Sequence, residues 1–192
     1  MLDPETAEQT RAAQARLLQR AAGGELEAVS ELYDQIATPL FSVAVRILGD
    51  TAEAEEAIQD VFVQIWEKAA TFDETIGSAF HWALSITRHR CVDRLRSRQR
   101  RARLAEELQT SMASQDYPSA DNPSPMHADE SEAIRAAMKN LPEDQRKPIE
   151  LAFFAGKTHL EIAELLSQPL GTIKARIRRG MLKLRESLQE YA

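Results

Sequence analysis

A stretch near the middle of the chain sets the strongest limit on what it can fold into. Between Gln109 and Asp129, QTSMASQDYPSADNPSPMHAD, the residues Pro118, Pro123 and Pro125 sit among Ser111, Ser114, Ser119 and Ser124, with few large apolar side chains. Such a segment cannot bury enough surface to offset the entropy of ordering it, so it reads as a flexible linker. The 192 residues therefore divide into two short globular parts, each sized for one small core.

Both parts read as helical. In the first, Leu26, Val29, Leu32, Tyr33, Ile36, Leu40, Phe41, Ala44, Ile47 and Leu48 recur at helical spacing, and Pro39 is expected to kink or divide that helix. Gly49 closes it. Asp50 with Glu53 has the spacing of a capping box, and Ile58, Val61, Phe62, Ile65, Trp66 and Ala69 form one apolar stripe behind it. After a loop over residues 71–77, Phe80, Leu84, Thr87, Cys91 and Leu95 share a face of a third helix. Beyond the linker, Ile134, Ala137, Met138 and Leu141 begin a second helical group, broken at Pro142 and resumed through Ile149, Leu151, Ala152 and Phe153. Strand-like alternation and internal repeats are both missing. The expected fold class is all-α: an N-terminal extension (1–23), a first helical domain (24–103), an acidic flexible linker (104–131) and a second helical domain (132–190).

Net charge is −6, which looks wrong for a nucleic-acid binder until its distribution is read. From Arg88 to Arg103 eight arginines face Asp93 alone, a local charge of +7. From Leu170 to Leu188, Lys174, Arg176, Arg178, Arg179, Lys183 and Arg185 face Glu186 alone, giving +5. Between the two, Leu104 to Glu132 carries seven acids and no lysine or arginine.

The second basic block lies on a recognisable frame. A short helix around Thr158 to Leu166 meets a turn at Ser167, Gln168 and Pro169, and a second helix follows. Leu160, Ile162, Ala163 and Leu166 are expected to pack on Ile173, Ile177, Met181 and Leu184, leaving Thr172, Arg176, Arg179 and Lys183 outward, with Lys174 and Arg178 flanking. This is the layout of a helix-turn-helix, whose second helix enters the major groove. Gly171 and Thr172 stand where backbone amides and a hydroxyl meet phosphate. Arg176 and Arg179 are candidate guanine readers, Lys174 and Arg178 candidate phosphate contacts. The competing reading is a solvated basic helix on a small bundle, and the Arg88–Arg103 run is also compatible with plain soluble surface.

Enzymatic and metal-binding classes find no support. GxSxG, HExxH, phosphate-binding glycine loops and dinucleotide fingerprints are missing from the sequence. His81 and His89 lie about two helical turns apart, too far to chelate one metal unaided. Lone Cys91 rules out an internal disulfide and suits a reducing compartment. With no secretory leader and no apolar run near the roughly 20 residues that span a bilayer, the chain is expected to be cytoplasmic and not inserted in a membrane.

Particular strings carry a family resemblance. LPEDQR (Leu141 to Arg146), the triplet Glu161 to Ala163, and PLGTIKARIRRG (Pro169 to Gly180) form one signature; AEEAIQDVFVQIWEKAATFD (Ala54 to Asp73), then Trp82, Ile86 and Asp93 ahead of Arg94 and Arg96, form another. From about Glu25 to Leu188 the chain resembles the bacterial extracytoplasmic-function sigma factors. The resemblance implies a non-enzymatic initiation factor without cofactors, monomeric when free, which directs core RNA polymerase to promoter DNA and is restrained by an anti-sigma factor. It implies that Asp60, Gln64 and Glu67, spaced i, i+4 and i+7 opposite the apolar stripe, dock polymerase; the bland reading is a solvated helix face. The loop from Phe72 to Ser78 and the following helix would melt the minus-ten element, with Arg88, Arg90, Arg94 and Arg96 on strand phosphates. Trp82 is read as core rather than as a stacking platform. The helix-turn-helix would read the minus-thirty-five element, and the linker would thread the polymerase interior or serve as a tether. His89 departs from the family, which often has Asn there, and Met1 to Gly23 falls outside the pattern. The rival classes are a sigma mimic that titrates an anti-sigma protein and an operator-binding regulator.

Overall fold

The computed structural model describes residues 4–108 and 136–189. Among them every regular element is helical, and the chain separates into two compact units, residues 1–126 and 127–192.

The first unit contains α1 (Pro4–Ala22), α2 (Leu26–Leu48), α3 (Thr51–Lys68), a single 3-10 turn (Ala69–Thr71) and α4 (Ala79–Leu108). α2 packs against α3 and α4, and their apolar stripes meet in a core where Leu32, Ile36, Leu40, Leu48, Val61, Ile65 and Cys91 are fully buried. Buried Thr87 belongs to it because its hydroxyl donates to the Ala83 carbonyl at 2.9 Å, satisfying the polar group within its own helix. Pro39 lies inside α2, which runs on as one helix. Gly49 caps that helix with φ 70°, a left-handed conformation that glycine adopts without a Cβ clash. Asp50 then starts α3 by accepting the Glu53 amide at 2.8 Å.

Residues 1–23, set apart by the sequence as an extension, form part of this body. α1 packs on α2, α4 and the 3-10 turn, with Ala15, Leu17, Leu18 and Ala21 buried. Only two of these four are large, and Gln14 is buried beside them, so the hydropathy of the stripe is weak although its helical spacing is regular. Arg20 braces the corner into α2, donating to Glu25 at 2.7 and 2.9 Å and to Glu31 at 3.1 Å.

The second unit contains α5 (Glu143–Phe153), α6 (His159–Leu165) and α7 (Leu170–Gln189); residues 136–139 are also helical. One apolar cluster joins Ala137, Leu141, Ile149 and Leu184, another joins Leu151, Ile162, Ala163 and Ile173, and Ile177 packs on both. Leu160 and Met181, expected in this core, are instead 57% and 53% exposed. The inward row of α7 runs Ile173, Ile177, Gly180, Leu184, so Gly180 holds the slot that sequence spacing offered to Met181. Of the expected linker, Leu104 to Leu108 continue α4; from Gln109 on it lies outside the described residues.

Candidate nucleic-acid interface

α7 carries the second basic block. Lys174, Arg178, Arg179, Lys183 and Arg185 are exposed, Gly171 is exposed and Thr172 half-buried at its first turn. α6 is only seven residues long and would fray alone. It is held by a capping box in which Thr158 Oγ1 accepts the Glu161 amide at 3.2 Å and Glu161 Oε2 accepts the Thr158 amide at 2.7 Å. The T-x-x-E spacing is legible in the sequence and marks the start of the motif. Ser167 sits at φ 49° in the turn between the two helices.

Arg176 does not face outward with its neighbours. Its Nε lies 3.2 Å from Asp144 Oδ2 in the first turn of α5, and its side chain is 24% exposed. Position 176 falls beside the buried Ile173–Ile177 row, so its guanidinium meets α5 before it meets solvent. Arg176 thus ties α7 to the body of the unit, and the outward set reduces to Lys174, Arg178, Arg179 and Lys183 with the first-turn residues.

The first basic block is likewise sorted by packing. Along the facing sides of α3 and α4, acids at 53, 56 and 60 meet arginines at 98, 94 and 90. Asp60 Oδ2 accepts Arg90 Nη2 at 2.7 Å and Arg90 Nε at 3.2 Å, and also bonds Arg94 Nη2. Arg94 Nη1 reaches Glu56 at 3.2 Å, and Arg98 bonds Glu53 at 3.1 Å and the Leu48 carbonyl at 2.9 Å. The bonds from Arg90, and then Arg94, hold the Asp60 carboxyl below the usual carboxylate range. Arg96 is exposed. Arg88 is half-buried, and burial, then the charge of Arg96, lower its basicity.

The expected docking set is therefore split. Asp60 belongs to the α3–α4 ladder, Gln64 is half-buried and accepts Lys68 Nζ at 3.5 Å, and Glu67 is exposed beside the outward Val63. Glu56, Arg98 and the pairing of Glu53 and Asp60 with arginines were not read from sequence, although the 53, 56, 60 and 90, 94, 98 spacings each trace one helix face.

Between the 3-10 turn and α4 the loop is locally braced: Asp73 Oδ1 accepts the Thr75 amide at 2.9 Å and its hydroxyl at 2.7 Å. It borders an open cavity of about 560 Å³ that Gln19 and Ala22 of α1 also line. Trp82 is half-buried, edge-on to Phe72 with ring centroids 5.7 Å apart, so it packs under the loop rather than standing free. His81 Nδ1 engages Ser78 Oγ at 2.8 Å at the start of α4. Among the described residues, no group of three or more His, Cys, Asp or Glu side chains is arranged to hold a metal ion.

Two family descriptions match in the order of the two units: Sigma-70 region 2 over residues 32–101 and Sigma-70 region 4 over residues 131–184. An ECF RNA polymerase sigma factor SigK from Mycolicibacterium vanbaalenii is 36% identical over 175 residues, covering 90% of this chain and 87% of that protein. The chain belongs to the ECF sigma-factor family. A SigK of Mycobacterium tuberculosis is 34% identical over 174 residues, 90% of this chain and 91% of its own length. Among solved structures, RpoE of Bartonella quintana, determined with the anti-sigma factor NepR, is 22% identical and covers 83% of this chain and 96% of its own, with a TM-score of 0.42. As an ECF sigma factor, the chain is a transcription initiation factor whose region 2 spans α2 to α4 and whose region 4 holds the helix-turn-helix.

Proposed function

We propose that this ECF sigma factor brings core RNA polymerase to specific promoters and assists their melting without catalysing a reaction itself. The observation that carries the reading is the exposed cation row on α7, set on a capped helix-turn-helix within the segment matched to region 4. Lys174, Arg178, Arg179 and Lys183, with Gly171 and Thr172 at the helix start, contact the minus-thirty-five element, and Arg176 holds α7 in place for them. In region 2, Arg88, Arg90, Arg94 and Arg96 hold the minus-ten strand beside the loop from Phe72 to Ser78. Gln64 and Glu67 dock polymerase, with Asp60 at the margin of that face. The acidic segment beyond α4 connects the region 2 domain, α1 included, to the region 4 domain. The chain acts in the cytoplasm as a monomer when free; among the described residues no helix is long and apolar enough to cross a membrane. An anti-sigma factor is its proposed inhibitor, on family membership alone.

Run-off transcription with purified core polymerase and a library of promoter fragments tests this. Protein-dependent transcripts from discrete start sites are expected; their failure with folded protein and a compatible polymerase overturns the reading. Removing Lys174 or Arg178 should each flatten the salt dependence of duplex binding by about 0.9 in log–log slope, one phosphate contact apiece.

A further inference from the structure

Two of the arginines proposed for strand capture are already engaged within the protein. Arg90 and Arg94 lie one helical turn apart on α4, so a single carboxylate on the facing helix spans both. Asp60 does so, and Glu56 adds a second carboxylate at 3.2 Å from Arg94. Two acids against two guanidiniums bring the local charge to zero, where the sequence alone suggested a strongly basic surface. The cluster is not sealed, because Arg90 is 39% and Asp60 37% exposed. A phosphate arriving from solvent meets the same N–H groups that the carboxylates hold, and so competes with them.

We propose that Asp60 is a positioning residue of the strand-capture surface: it orients Arg90 and Arg94 and restrains their attraction for phosphate until a strand displaces it. This rests on the reading that α4 faces the melted strand. Its physical consequence is selectivity. An arbitrary single strand gains phosphate contacts only by breaking existing charge-assisted bonds, whereas a strand also held by its bases in the loop has further contacts to offset that loss.

The test uses the full chain and labelled single-stranded DNA, with binding followed by fluorescence anisotropy across a salt series. D60N keeps the size of the side chain and an acceptor oxygen while removing its charge. It should bind single strands more tightly than the parent, with a log–log salt slope steeper by about 0.7, equivalent to one more phosphate neutralised. The advantage over the parent should then grow about two- to threefold between about 200 and about 50 mM salt. Adding R90Q and R94Q to D60N should cancel it. A merely structural Asp60 predicts the opposite, since loosening α3 from α4 would weaken binding.

D60N with parental helix content and unchanged or weaker binding overturns the proposal. If D60N loses helix content, E56Q takes its place; Glu56 is 71% exposed and pairs with Arg94. It should tighten binding by a smaller factor, and failure to do so also overturns the proposal. Run-off transcription separates the underlying reading: an R90Q/R94Q variant that transcribes like the parent overturns strand capture by these arginines, whereas unchanged D60N binding overturns only the role of Asp60.

Discussion

Replacing Gly180 by alanine would place a methyl carbon 2.6 Å from Ile149 Cδ1, 3.3 Å from Gln145 Cβ and 3.6 Å from the Gln145 carbonyl oxygen. Carbon pairs sit best about 3.5–4.0 Å apart, so the first contact is roughly 1 Å too short. The tip of Ile149 has to yield, yet Ile149 is itself buried with Ala137, Leu141 and Leu184. Overfilling a packed site costs about 1–3 kcal/mol. Against that, alanine gains about 1 kcal/mol over glycine in a helix interior. A net destabilisation of about 1 kcal/mol is expected, which for a unit this small lowers the melting midpoint by about 4–8 °C.

The protein carries its own control for this experiment. Both tryptophans, Trp66 and Trp82, lie in the first unit, so tryptophan fluorescence reports that unit, while far-UV circular dichroism and calorimetry see both. Gly180→Ala should shift a calorimetric transition and leave the fluorescence midpoint alone. Ile149→Val removes the clashing carbon at a cost of about 0.5–1.5 kcal/mol by itself. Combined with Gly180→Ala it should cost less than the sum by about 0.5 kcal/mol or more, because the new methyl occupies the vacated space. A Gly180→Ala protein as stable as the parent, or a double variant additive within about 0.3 kcal/mol, would refute the close approach of α7 to α5 as the reason for glycine here.

Thr158→Ala removes the cap of α6 and should destabilise the second unit by about 1 kcal/mol in urea unfolding; no change would mean that α6 is held by packing alone. Because Arg90 and then Arg94 hold the Asp60 pKa below its unfolded value, the stabilisation from this carboxylate is full above about pH 4 and lost as pH falls through the lower folded value. The urea midpoints of parent and Asp60→Asn should therefore converge as pH falls, and a gap that does not narrow in acid would count against the ladder. Burial pushes the Cys91 thiol up to about 11, so native protein should react with a thiol reagent at neutral pH only as fast as it opens, and urea should release the reaction. Prompt labelling of folded protein would contradict that burial.

Much of the site was legible in the order of residues, and the part that was not has one physical origin. Hydrophobic periodicity determined α2, α3 and the pair α6–α7, since spacing of 3 and 4 marks a helix face whatever surrounds it. Segregated charge and turn spacing marked the helix-turn-helix, and the strings PLGTIKARIRRG and AEEAIQDVFVQIWEKAATFD carried the resemblance to the family. Spacing within one helix, however, carries no information about the helix opposite. Whether Arg90 and Arg94 meet solvent or Asp60, and whether Arg176 meets DNA or Asp144, depends on the rotation and register of packed pairs, which burial of the apolar stripes decides. The same packing admitted the weakly hydrophobic face of α1 into the first core and placed Gly180, not Met181, against Ile149. Sequence alone thus determined which helices carry charge; the tertiary structure decided which of those charges remain for a partner, because ion pairing between helices is set only after their apolar faces have locked.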